Sequence, residues 1–260
     1  MKLLLLIVGC PTTALAFAGG LLMEESELAM PGYATDTDIQ TTPWAESSDV
    51  GGCSLPGGFP YKPYALALGD MPALGKLVFK NNYCGLVLEV DCPQGKPVKA
   101  VVASVKDHYS YATGTDLVWD AWDAAELGDG GDGNPQGEYT NCKVTLTDEH
   151  LLTTVDPVCA QRPDSISGAS NYYRSVGMFN NPVPVVSATL AGIAGKFSGD
   201  SAYFDFGPTG QPVLKMDADF TVTYADGSTI TKKLGDCGSS SSVHIFGLGH
   251  NVGFDFNVVE

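Results

Sequence analysis

The chain has 260 residues, 44% hydrophobic and only 17% charged, which excludes a disordered polypeptide and leaves room for one large or two small domains. Its 31 glycines and 16 prolines demand many turns and favour an all-β architecture. A net charge of −16 repels nucleic acid, anionic membranes and acidic polysaccharides, and leaves neutral glycans, cationic partners or divalent cations.

The chain opens with Met1-Lys2, an apolar run over residues 3–8, and the small-x-small pattern Ala14-Leu15-Ala16. This predicts a secretory signal peptide, residues 1–16, cleaved after Ala16. The run falls short of the about 20 apolar residues that a spanning helix needs. Phe17, directly after the cleavage pattern, resembles the junction of plastid-targeting presequences. The acids that follow, Glu24, Glu25 and Glu27, favour plain secretion instead. Residues 17–50 are acidic, Thr-rich and aperiodic, and read as a flexible leader.

A globular unit is expected to begin near Gly51-Gly52-Cys53. In it a short apolar segment ends at Cys84-Gly85. An alternating strand follows, with Leu86, Leu88 and Val90 on one face and Val87 and Glu89 on the other, closed by Cys92. A turn at Gln94-Gly95-Lys96 leads to a second strand, residues 98–105, which ends on Asp107. Thr115-Asp116-Leu117 comes soon after. Two short strands joined by a Gly turn and ending on acids predict a small β-barrel with carboxylates at its rim.

Over residues 74–117 the chain resembles the double-psi β-barrel domain of expansins and their loosenin and barwin relatives. The resemblance rests on Asn81-Asn82 before Cys84-Gly85, a strand ending in Cys92, the Gly95-Lys96 turn, a strand ending on Asp107, and the pair Asp116-Leu117. It implies a six-stranded double-psi barrel, assigned to residues 51–165, with Asp116-Leu117 opening a short helix. It also implies that Asp116 is the proton donor or sugar-contacting acid of the site. Asp107 would be the acid closing the preceding strand. These two are the catalytic candidates.

Two carboxylates flanking a glycosidic bond can serve as acid and base. In the related endoglucanases the second one comes from an early strand. Here the early segment Gly57-Gly58-Phe59-Pro60-Tyr61 has none, so enzymatic activity is left open and hydrolysis is disfavoured against binding or loosening. Trp119 and Trp122 share one face if residues after Asp116 are helical, with Asp116 as N-cap. Such a pair makes a glycan platform or, more commonly, core packing. Tyr109 and Tyr111 complete the substrate-binding candidates.

Residues 161–164 (Gln-Arg-Pro-Asp) read as a linker. Beyond it, strands are predicted at 183–190, 203–206, 219–224, 229–234, 243–246 and 253–259, with a hairpin turn at Ala225-Asp226-Gly227-Ser228. These predict an immunoglobulin-like β-sandwich over residues 166–260. Barrel followed by sandwich is the order that the expansin resemblance implies. This half contains no Trp, so strong binding to crystalline cellulose is not expected.

Of the seven cysteines, Cys10 leaves with the signal peptide. The other six, Cys53, Cys84, Cys92, Cys142, Cys159 and Cys237, imply about three disulfides with the pairing open. The acidic run 129–138 lacks the register of a calcium loop, and His108, His150, His244 and His250 have no metal-ligand spacing. No metal and no cofactor is expected. The reading is a secreted, monomeric, expansin-like protein of the extracellular space or cell wall. It binds or loosens a neutral polysaccharide without efficient hydrolysis, and touches neither nucleic acid nor membrane. One alternative is a structural wall or matrix protein on the same scaffold. The other is a barrel-based inhibitor or effector that binds a protein partner.

Overall fold

The computed structural model describes residues 28–32, 34–44, 51–56, 64–69, 72–106, 114–128, 139–150, 156–162, 165, 172–207 and 213–239. The expected signal peptide and the strands expected at 243–246 and 253–259 lie outside them. Among the described residues no helix is long and apolar enough to cross a membrane.

Six strands close into a barrel: β1 (Ala34–Trp44), β2 (Ala65–Gly69), β3 (Val87–Asp91), β4 (Val98–Lys106), β5 (Gly114–Val118) and β6 (Tyr139–Leu146). Their order around the barrel is β1-β5-β2-β4-β3-β6. The pairs β1–β5 and β2–β4 are parallel and the other neighbours antiparallel, as in a double-psi barrel. Val-rich β4 and the wholly buried β2 suit strands covered on both faces. Leu66, Leu68, Leu88, Val101, Leu117 and Leu146 are fully buried in the barrel core. At Gly114, β5 presses so close to β1 that an added Cβ would lie 1.7 Å from the Gln40 carbonyl oxygen. A six-residue helix, α1 (Trp119–Ala124), follows β5 directly.

Two further sheets pack face to face. One holds β9 (Val185–Leu190), β10 (Ile193–Ala194), β13 (Asp219–Tyr224) and β14 (Thr229–Lys233) in the order β10-β9-β13-β14. The other holds β7 (Val158–Gln161), β8 (Arg174–Phe179), β11 (Lys196–Phe197), β12 (Tyr203–Phe206) and β15 (Gly238–Ser239) in the order β11-β12-β8-β7-β15. One core joins them, with Val176, Met178 and Phe206 from one sheet and Leu190, Phe220, Val222 and Tyr224 from the other. Phe206 and Phe220 meet edge to face across it, centroids 5.9 Å apart. The β13–β14 hairpin forms where the sequence predicts it. Gly227 takes φ +80° in its turn and Asp226 Oδ1 accepts from Ser228 N–H. Burial, and then the charge of Asp226, pushes the Tyr224 phenol well above its ordinary range.

Four expectations are corrected. Residues 34–44, placed in a flexible leader, are barrel strand β1, hydrogen-bonded to β5 and β6. Its threonines read as polar loop, yet β-branched Thr suits a paired strand, and Ile39 and Thr41 are fully buried there. Even the preceding segment is docked, because buried Ala29 donates its N–H to the Tyr83 hydroxyl at 2.8 Å. Gln161, read as the start of a linker, is a buried strand residue whose Nε2 donates to the Leu234 and Cys237 carbonyls. Accordingly β7, which falls inside the span assigned to the barrel, pairs instead with β8 and β15. Finally, Asp116 caps no helix. It lies within β5, and Val118 is the N-cap of α1, with no side-chain cap bond.

The six cysteines pair as Cys53–Cys84, Cys92–Cys142 and Cys159–Cys237. The first bridge sits where barrel and sandwich meet. There Cys53 O accepts from Ala202 N–H at 3.1 Å, and Asn81 Nδ2 donates to Gly199 O at 2.6 Å and to Ser201 O at 2.8 Å. Asn82 Nδ2 donates to Val185 O, and His150 Nδ1 lies 3.0 Å from Asn180 O. Ala160, Phe179, Ala202 and Tyr203 from the sandwich side pack into the barrel core.

Candidate functional site

Strand register places the one catalytic candidate that is described. Asp116 on β5 lies beside Thr42 on parallel β1 and opposite Ala67 on antiparallel β2. Two residues along β2, Gly69 lies beside Lys106, the last residue of β4. Side chains two apart on a strand share a face. Lys106, Gly69, Ala67, Asp116 and Thr42 therefore form one row across four strands. Alanine and glycine in the middle of that row leave space for the lysine stem to cross β2. Lys106 Nζ reaches Asp116 Oδ1 at 2.9 Å and donates to Thr42 Oγ1 at 2.9 Å. The Thr42 hydroxyl in turn donates to Asp116 Oδ1. The opposite face carries Leu68, Thr115 and Thr41, all fully buried, with the two threonine hydroxyls 3.1 Å apart.

The polarity of this triangle follows from its members. An ammonium only donates, a carboxylate only accepts, and Thr42 does both. Thr42 spends its single proton on Asp116. Exposure is unequal: the Lys106 side chain is 4% exposed and that of Asp116 is 20%. Of the two charged groups, the carboxylate is the one open at this face and the ammonium is buried. The cluster accepts hydrogen bonds from hydroxyl groups and offers no accessible cation.

The tryptophan pair divides. Trp122 is fully buried, donates Nε1–H to Gly128 O at 2.7 Å and packs at 5.4 Å on the Tyr139 ring. It is core, not a sugar platform, because α1 turns its Ala121–Trp122 side into the barrel. Trp119 remains half-buried at the start of α1, three residues past Asp116. Asp107, Tyr109 and Tyr111 lie outside the described residues, as do His108 and the acidic run 129–138. Lys106 and Thr42, the two side chains bonded to Asp116, are not among the residues the sequence singled out. A lysine at the last position of an apolar strand was the available signal. Among the described residues no group of three or more His, Cys, Asp or Glu side chains is arranged to hold a metal ion.

No protein-family model matches the sequence, and no curated protein does. Solved structures are similar in fold. One is a point mutant of the expansin of Clavibacter michiganensis in complex with cellohexaose, at TM-score 0.55 and 18% identity, covering 77% of this chain and 90% of that one. Another is the apo form of the Clavibacter michiganensis expansin, at TM-score 0.56 and 16% identity, covering 82% of this chain and 100% of that one. The chain thus has the expansin fold, an all-β barrel followed by a β-sandwich.

Proposed function

We propose that the chain is a secreted expansin-like protein that binds or loosens a neutral extracellular polysaccharide without efficient hydrolysis. The observation that carries this reading is the polar row at the barrel, where Asp116 is held by Thr42 and Lys106 and remains partly open. A carboxylate fixed in this way accepts hydrogen bonds from sugar hydroxyls. Trp119, half-buried three residues on, supplies an apolar face for a sugar ring. A similar fold with cellohexaose bound supports a glycan as ligand. Burial of the only cation in the row favours neutral sugars over uronates. Three disulfides fit an oxidising compartment and so the signal peptide read at residues 1–16. The outward face of the β9–β13–β14 sheet carries Thr189, Thr221, Thr223, Thr229 and Thr231, which offers hydroxyls where a crystalline-cellulose binder would present rings.

The closed Lys106–Asp116 pair also favours a second reading, a wall or matrix protein in which the same residues only brace the barrel. Pull-down on a panel of insoluble neutral and acidic polysaccharides separates the two. Wild type is expected to be retained on a neutral glycan without release of reducing sugar. Asp116→Asn and Trp119→Ala are each expected to lower retention about tenfold, the loss of one charge-assisted hydrogen bond or one stacking contact. Absence of retention on every glycan, with folded protein, sinks the glycan reading and leaves the structural one.

A further inference from the structure

We propose that Lys106 is a positioning residue that fixes Asp116 as an acceptor for uncharged sugar hydroxyls while itself staying out of reach of the glycan. The inference rests on the reading that Asp116 meets the glycan.

Three observations carry it. The Lys106 side chain is 4% exposed against 20% for Asp116, so only one member of the pair is accessible to a polymer. Lys106 donates to both Asp116 and Thr42, and Thr42 donates to the same Asp116 oxygen, so one carboxylate oxygen is held from two sides. Finally, Lys106 crosses β2 only because Ala67 and Gly69 occupy the row between it and Asp116. A side chain bonded at one oxygen by two donors has a defined orientation, and the direction in which it accepts a ligand proton is defined with it. The buried ammonium also cancels the carboxylate's charge. A neutral glycan then approaches a neutral cluster, and a uronate finds no exposed cation in this row of described residues to pair with.

The test is a double-mutant cycle on phosphoric-acid-swollen cellulose, with polygalacturonate as the acidic probe and thermal midpoints recorded in parallel. Lys106→Met, Asp116→Asn and the double variant are compared with wild type. A residue acting through Asp116 is expected to give about a tenfold loss in each single variant and no further loss in the double one. Lys106→Arg, which keeps the charge, is expected to rescue most of the retention. A merely structural lysine lowers the midpoint without this non-additivity. Should Lys106→Met fail to fold, the double variant, which leaves no unpaired charge, is compared with Asp116→Asn alone. Equal retention supports the proposal and a further loss overturns it. Additive losses, full retention in Lys106→Met, or polygalacturonate binding that depends on Lys106 also overturn it while leaving the glycan reading intact. If Asp116→Asn binds like wild type, or wild type is not retained, the glycan reading itself falls and takes the proposal with it.

Discussion

At the scale of single residues, two tryptophans of identical chemistry and near-identical position have different duties. Trp122 fills the barrel wall with its indole N–H satisfied by Gly128 O, whereas Trp119 stays partly exposed. Their i, i+3 spacing was legible in the sequence, but spacing says only that two side chains share a helical face. Which of them is driven inward depends on what lies beneath, here Tyr139 from a strand far along the chain. The difference is measurable. Trp122→Ala is expected to cost about 3–5 kcal/mol in urea unfolding through the cavity it leaves. Trp119→Ala should stay within about 1 kcal/mol. Similar losses in both variants would contradict this division of duties. Asp116 was likewise legible as a candidate, but Lys106 was not. Lysine at a strand end is ordinarily a solvated residue, and its partner stands across an intervening strand.

At the scale of elements, the strands that were legible are those with alternation and a marked turn. β3, β12 and the β13–β14 hairpin lie where the pattern places them. Among the strands that were not legible, β1 and β7 are polar or short and gain stability from neighbours on both sides. Gln161 is an example, since its amide is satisfied only by carbonyls at Leu234 and Cys237. The Cys159–Cys237 bridge closes the same region, linking β7 to the residue before β15 across 78 positions. Replacing both cysteines by serine is expected to cost about 2–5 kcal/mol, mainly by releasing the unfolded chain from a long loop. Hydrogen exchange should show the loss of protection concentrated at β7 and β15. Unchanged stability would mean that β7 is held by its pairing with β8 alone.

At the scale of the whole molecule, the barrel and the sandwich share apolar packing rather than a tether. Phe179, Ala202 and Tyr203 lie in the barrel's core cluster, and the Asn81 amide ties the seam to Gly199 and Ser201. A continuous core couples the two parts on unfolding. Calorimetry is therefore expected to show one transition. Asn81→Ala should lower its midpoint by the equivalent of about 1–3 kcal/mol, for two lost bonds to carbonyls. Two well-separated transitions in the wild type would show that the seam does not couple them.

The sequence by itself determined what depends on near neighbours. Alternation, Gly turns and composition specify an all-β chain, an even set of six late cysteines implies bridges, and the local motif around Cys84-Gly85 and Asp116-Leu117 carries the expansin resemblance. The tertiary structure alone decided what depends on residues distant in the chain. It selected which cysteines pair, brought β1 into the barrel, turned Trp122 inward, and set Lys106 and Thr42 against Asp116. The reason is physical: hydrogen bonds and ion pairs act over a few ångströms, and those distances are settled by strand register, which residues far apart in sequence fix together.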